Sequence, residues 1–178
     1  MGGVLPALDD PQTRAALAAH QAGALRWLGG GVIAVVLGVL LGVAAVKVAG
    51  ETGRRIPVAG LAFLVLVLGG ASAGVAGIGA LVRTARWRKA LATQPWQRGT
   101  LRIAGPAIIA FEPEGYDELD PLAESLQLQL LSTAVWRTRL VQGLDGGEVR
   151  VAPVGRGQWV LTADGLGTLC GARVARRR

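Results

Sequence analysis

Two long apolar runs separated by eight residues constrain this chain more than any other feature. The first, Leu28–Ala49, contains a single charge, Lys47, and the second, Val58–Val82, contains none. At 1.5 Å per residue, about 20 apolar residues in a helix cross a hydrocarbon core of about 30 Å. Both runs reach that length, so the sequence predicts transmembrane helices over 28–49 and 58–82. Residues 50–57, GETGRRIP, are rich in glycine and polar side chains and end in proline, which suits a tight turn. The two helices are therefore expected as an antiparallel hairpin.

The first run also passes for a signal peptide by position. Asp9 and Asp10 in its leader, its length, and the want of a small-residue cleavage site favour an uncleaved anchor. The start, MGGVLP, has Pro6 where an acylation motif needs Ser or Thr. Lipidation is not expected there.

The charge distribution sets an expected orientation. The formal net charge is +7, and 17 of the 19 basic residues are arginine. Arg14 and Arg26 precede the first run, and Arg83, Arg86, Arg88 and Lys89 follow the second; on the intervening side stand Lys47, near the end of the first run, and Arg54 and Arg55 with Glu51. The positive-inside rule then places both termini in the cytoplasm and the protein in the cell membrane. Residues 83–95 form a basic juxtamembrane segment, in which Arg83, Arg86, Arg88 and Lys89 are expected to meet anionic lipid headgroups. Trp27 and Trp87 are expected as aromatic anchors at the same interface.

Small residues recur at four-residue steps. Gly30, Ala34, Gly38 and Gly42 do so in the first run, and Gly70 with Gly74, or Gly69, Ala73 and Gly77, in the second. Missing side chains let helix backbones approach closely, so these positions are candidate packing seams. They serve either the hairpin itself or a membrane protein partner or second copy. No ionisable side chain lies deep in either run, which argues against an ion pathway within one chain.

Residues 1–27 form an arm. Asp10 followed by Pro11 reads as an N-cap and first helical position. The helix beginning there fits a surface helix and a cytoplasmic extension of the first span equally well, because Gly23 interrupts a loose stripe of Leu17, Ala24, Leu25 and Leu28.

From about Trp96 the pattern changes. TLRIAG, PAIIAF, LQLQLLS, WRTRLVQ, EVRVAPV, QWVLTAD and GTLCGARV read as short strands between turns such as GLDGGE and GRGQ. Residues 96–178 are thus expected as a small antiparallel, barrel-like β domain on the cytoplasmic side. A helix over Leu122–Leu140 is the competing assignment. The fold class is α+β: a transmembrane hairpin followed by a β domain.

Little in the chain points to catalysis. With one cysteine, Cys170, and one histidine, His20, one chain holds no disulfide and no Cys/His metal site, and a Ser-His-Asp triad is disfavoured. Cys170 reads as a core residue and His20 as solvated. Glu112, Glu114, Asp117, Glu118, Asp120 and Glu124 cluster without the offsets of a calcium loop, so a solvated loop is expected, open to pairing with the domain's own arginines or with a basic partner. No dinucleotide or Walker fingerprint is present. No cofactor, metal or nucleic acid is expected, since Trp136 and Trp159 sit in core-like patterns. The closing RVARRR reads as a solvated tail or as a further contact with anionic lipid.

Two spans, the junction RWRKALATQPWQRG and an ending that contains VGRGQWVLTADG resemble small actinobacterial membrane proteins of unassigned function. The layout also resembles bacterial membrane proteins with a PH-like β domain after a helical hairpin. These resemblances imply a fold and no activity. The expected function is non-enzymatic: a membrane-anchored β domain that binds a protein partner or lipid headgroups, as an accessory subunit or scaffold. The alternative is a self-associating pore or transport component.

Overall fold

The computed structural model describes residues 5–53, 57–105, 107–117, 125–131 and 135–175. Arg54, Arg55, Glu118, Asp120, Glu124, Arg176, Arg177, Arg178 and the side chain of Trp136 lie outside that description. The chain forms two compact units, Ala19–Thr84 and the combination of Met1–Ala18 with Ala85–Arg178.

Helix α1 runs over Pro11–Thr52 without a break. Asp10 starts it: its Oδ1 accepts the Gln12 N–H at 3.1 Å and its Oδ2 accepts the Thr13 hydroxyl at 2.9 Å. These bonds satisfy helix-end donors, and Pro11 has no N–H to satisfy. The arm is therefore an extension of the apolar helix. One interior glycine costs about 1 kcal/mol relative to alanine, too little for Gly23 to split a helix held at both ends. Helix α2 covers Pro57–Leu91.

The β domain is a closed six-stranded antiparallel barrel. Its strands are β1 (Gln97–Gly105), β2 (Ile108–Pro113), β3 (Leu126–Leu130), β4 (Glu148–Gly155), β5 (Gln158–Thr162) and β6 (Cys170–Val174), in the order β1-β2-β3-β6-β5-β4. Two three-stranded meanders are joined along β1–β4 and β3–β6. Closure leaves no unpaired sheet edge.

WRTRLVQ is not a strand. Helix α3 spans Val135–Gln142 and links the two meanders. A helical turn brings Val141 and Leu144, three apart, to the same core; a strand would send them to opposite faces. GLDGGE accordingly joins a helix to a strand, whereas GRGQ closes the β4–β5 hairpin. The competing helix over 122–140 fails over Leu126–Leu130, which pairs with both β2 and β6, and holds only from Val135 onward.

Alternation sends Leu101, Ile109, Phe111, Leu128, Leu130, Val149, Val151, Leu161, Cys170 and Ala172 into the barrel core. Gly99 is required there: a Cβ on it would strike the Glu112 carbonyl oxygen and lie 2.7 Å from the Phe111 ring. On β4 and β5, Ala152 and Val160 belong to a second cluster with Leu169, Ala7, Ala16, Leu17, Trp87 and Leu91. The first turns of α1 and the last turns of α2 thus cover one outer face of the barrel.

Candidate functional site

Within the Ala19–Thr84 unit the two helices pack through missing side chains. A Cβ on Gly31 would lie 2.6 Å from the Gly70 carbonyl oxygen and 2.7 Å from the Gly74 nitrogen. One on Gly38 would lie 2.9 Å from Val67, one on Gly42 3.0 Å from Phe63, and one on Gly77 2.8 Å from the Leu28 nitrogen. Gly70 meets Gly31 and Val35 in the same way. The contact positions on α1 are Ala24, Leu28, Gly31, Val35, Gly38 and Gly42, which alternate steps of four and three.

That alternation corrects the four-residue reading. A four-residue step overshoots a full turn by about 40°, so Gly30 and Gly42 point about 120° apart. Gly30 is exposed and a Cβ on it would meet nothing within 4 Å. Ala34 is half-buried beside the seam, while Gly74 faces Gly31 with its backbone. Beyond the Gly42–Phe63 contact lies an apolar groove of about 330 Å³ lined by Leu41, Ala44, Ala45, Val48, Val58, Ala59 and Ala62.

The remaining faces of both helices are apolar and unpacked. Val32, Ile33, Val36, Leu37 and Leu40 on α1, and Leu61, Leu64, Val65 and Leu68 on α2, are all exposed. Both helices are long and apolar enough to cross a membrane. The core helix of a soluble protein would bury its most apolar stretch, but only 6% of it is buried in α1 and 11% in α2.

On the C-terminal turns of α2, Arg83, Arg86, Arg88 and Lys89 are all exposed. Trp27 is also exposed, but Trp87 is buried at 4% and belongs to the cluster on the outer face of the barrel. It is a core residue rather than an interfacial anchor. Gly171 makes room for it: a Cβ there would lie 3.0 Å from Cζ2 of the indole.

A polar node joins the start of α1 to the barrel. From β4, Arg150 donates through one terminal nitrogen to Asp10 Oδ2 at 3.1 Å, and through the other to Gln12 Oε1 at 2.9 Å and Asp164 Oδ1 at 2.6 Å. Its Cζ lies 6.0 Å from the centre of the Trp96 ring, the outer limit of a cation–π contact. Trp96 donates its indole N–H to the Thr13 hydroxyl at 3.1 Å, and the Gln12 amide donates to the Ala163 carbonyl at 3.0 Å. The Arg150 Nε is enclosed without a hydrogen-bond partner among the described residues. Burial pushes the Asp10 carboxyl pKa up, but the Thr13 hydroxyl, the Gln12 N–H and the Arg150 guanidinium outweigh it, so the pKa is lowered overall.

Beside this node a groove of about 430 Å³ runs along β1 and β2, lined by Arg98, Thr100, Glu112, Glu114, Tyr116 and Glu148 among others. Glu112 is paired with Arg102 at 3.5 Å, so the acidic segment does engage an arginine of its own domain. Among the described residues, no serine, cysteine or histidine lines the groove. Cys170 is buried in β6 and His20 is half-buried.

Two features escaped sequence reasoning. Gly31, whose approach to Gly70 is the tightest between the two helices, falls outside the four-residue steps, and testing a 3.5-residue period instead of four would have found it. The Asp10–Arg150 node had no local signal, because its partners are 140 residues apart. No known protein family, curated protein or solved structure matches the chain.

Proposed function

We propose that this is a non-enzymatic integral protein of the cell membrane. In this reading α1 and α2 cross the bilayer as a hairpin, both termini are cytoplasmic, and the protein engages anionic lipid headgroups. The observation that carries the reading is the pair of helices joined along a glycine seam with apolar side chains on every other face, a pattern that water disfavours and lipid covers. Exposed Arg83, Arg86, Arg88 and Lys89 supply the headgroup contact, at about 1 kcal/mol for each basic residue near the surface. Alkaline extraction of native membranes, combined with reporter fusions after Thr52 and at the C-terminus, tests the reading. A chain released by alkali, or a C-terminus outside the cytoplasm, would overturn it.

A second reading is self-association. Gly30 is left open on a face that the hairpin does not use, and lipid-facing glycine permits close approach by another helix. Purification in mild detergent with mass spectrometry separates the two: a homo-oligomer favours self-association, and a monomer retaining anionic lipid favours headgroup binding. A stoichiometric protein partner would make the chain an accessory subunit.

A further inference from the structure

We propose that the barrel itself carries a phosphate-binding rim, formed by Arg156 at the tip of the β4–β5 hairpin and Arg173 near the end of β6, whose ligand is the phosphate of an anionic lipid headgroup. The inference rests on the headgroup-binding reading and moves one contact from α2 to the barrel. Gly155 pairs with Gln158, so Arg156 and Gly157 form a two-residue turn. Gly155, Arg156 and Gly157 have φ of 87°, 53° and 69°. Asparagine, aspartate and glycine suit left-handed positions in such a turn, whereas a long side chain is disfavoured there. Arg156 is exposed and makes no ion pair among the described residues. The turn therefore keeps a cation at its tip against its own conformational preference, which points to a use outside the fold.

Arg173 stands beside it. The Val174 N–H bonds to the Gly157 carbonyl at 2.9 Å, which holds the end of β6 against the hairpin tip. Arg173 pairs across the sheet with Gln129 on one side and Gln158 on the other. Its Nε and one terminal nitrogen both donate to Gln129 Oε1, at 3.1 and 2.9 Å. A neutral amide fixes the guanidinium without neutralising it. Residues 125–131, 155–158 and 170–175 contain no aspartate or glutamate. Elsewhere in the barrel Arg102 is matched by Glu112, and Arg150 by Asp10 and Asp164. Two guanidinium groups with no carboxylate partner among the described residues, and the Gln158 amide beside them, offer the planar donors that phosphate oxygens accept, and the chain's two apolar helices favour a lipid as the bearer of that phosphate.

The test uses the full chain in phosphatidylcholine nanodiscs, presented with vesicles of phosphatidylcholine alone or mixed with phosphatidylglycerol, and scored by co-flotation. Wild type should bind only the mixed vesicles and release them at high salt. Arg156→Asn and Arg173→Gln should each weaken binding about fivefold, while Arg156→Asn melts at or above the wild-type temperature because asparagine suits the turn. Unchanged vesicle binding in both variants overturns the rim. If a variant carrying Arg83→Gln, Arg86→Gln, Arg88→Gln and Lys89→Gln then loses binding, the contact belongs to α2 and the headgroup reading survives without the rim. Displacement of the vesicles by inorganic phosphate at matched ionic strength would overturn the lipid as the ligand. Failure of wild type to enter nanodiscs would overturn the membrane reading itself.

Discussion

Replacing Gly31 by alanine should loosen the helix pair, and the same change one residue earlier should leave the packing untouched and stabilise the helix. The new methyl on Gly31 would sit 2.6 Å from the Gly70 carbonyl oxygen and 2.7 Å from the Gly74 nitrogen, against about 3.5 Å for ordinary contact. Both neighbours are backbone atoms, so no rotamer can relieve the clash, and the helices must part by roughly 1 Å. Overpacking of this kind costs about 1–3 kcal/mol. Removing an interior helical glycine returns about 0.5–1 kcal/mol, which leaves Gly31→Ala destabilised by up to about 2.5 kcal/mol. At Gly30 a Cβ meets nothing, so Gly30→Ala should keep the whole gain of about 0.5–1 kcal/mol. Thermal unfolding of the full chain in a neutral detergent, followed by helical ellipticity, reads both variants. Gly31→Ala should melt below wild type and Gly30→Ala at or above it. Equal midpoints, or the reverse order, would refute the alternating seam.

The barrel unit offers three further tests. Trp87→Ala should destabilise it by about 3–5 kcal/mol, since the indole is buried among Leu17, Leu91, Val160 and Leu169; an exposed anchor would cost far less, so a small shift in barrel melting would contradict the burial. Gly99→Ala should cost about 1–3 kcal/mol, because its methyl runs into the Glu112 carbonyl and the Phe111 ring, and a variant as stable as wild type would argue against that packing. Acid should act partly through Asp10. Its lowered pKa means that its contribution is complete above the unfolded value of about 4 and is lost as pH falls through the lower, folded value. Asp10→Asn keeps a helix cap but removes the charge, so the variant should be less stable at neutral pH and should lose less on acidification. Parallel pH profiles for the two proteins would count against the Asp10–Arg150 node.

Much of the architecture was legible because it is local. Runs of apolar residues with the right length specify two helices whatever surrounds them, since a helix satisfies its backbone internally. Asp10 followed by Pro11 marks a helix start through contacts within three residues. Turns that contain glycine flank most of the strands, and LQLQL alternates so strictly that the strand assignment prevails over the helical one. WRTRLVQ reads as a strand because seven residues carry too few periods to separate the two patterns, and its helical state depends on where Val141 and Leu144 meet the core.

The sequence by itself determined that the chain has two helices of membrane-spanning length, a β-rich end, a basic segment between them, and too few cysteines and histidines for most metal or nucleophile chemistry. Tertiary structure decided which small residues touch, because a seam follows the phase of two helices relative to each other and a single helix carries no record of its partner's phase. It decided that Trp87 is core, because its neighbours come from the start of α1, the outer face of the barrel and Gly171, all far from it in sequence. It also decided which arginines are spent on carboxylates, since ion pairs such as Arg150 with Asp10 join residues far apart in sequence. Periodicity and composition act over a few residues, whereas charge matching and close packing act over a few ångströms, and only the fold relates the two scales.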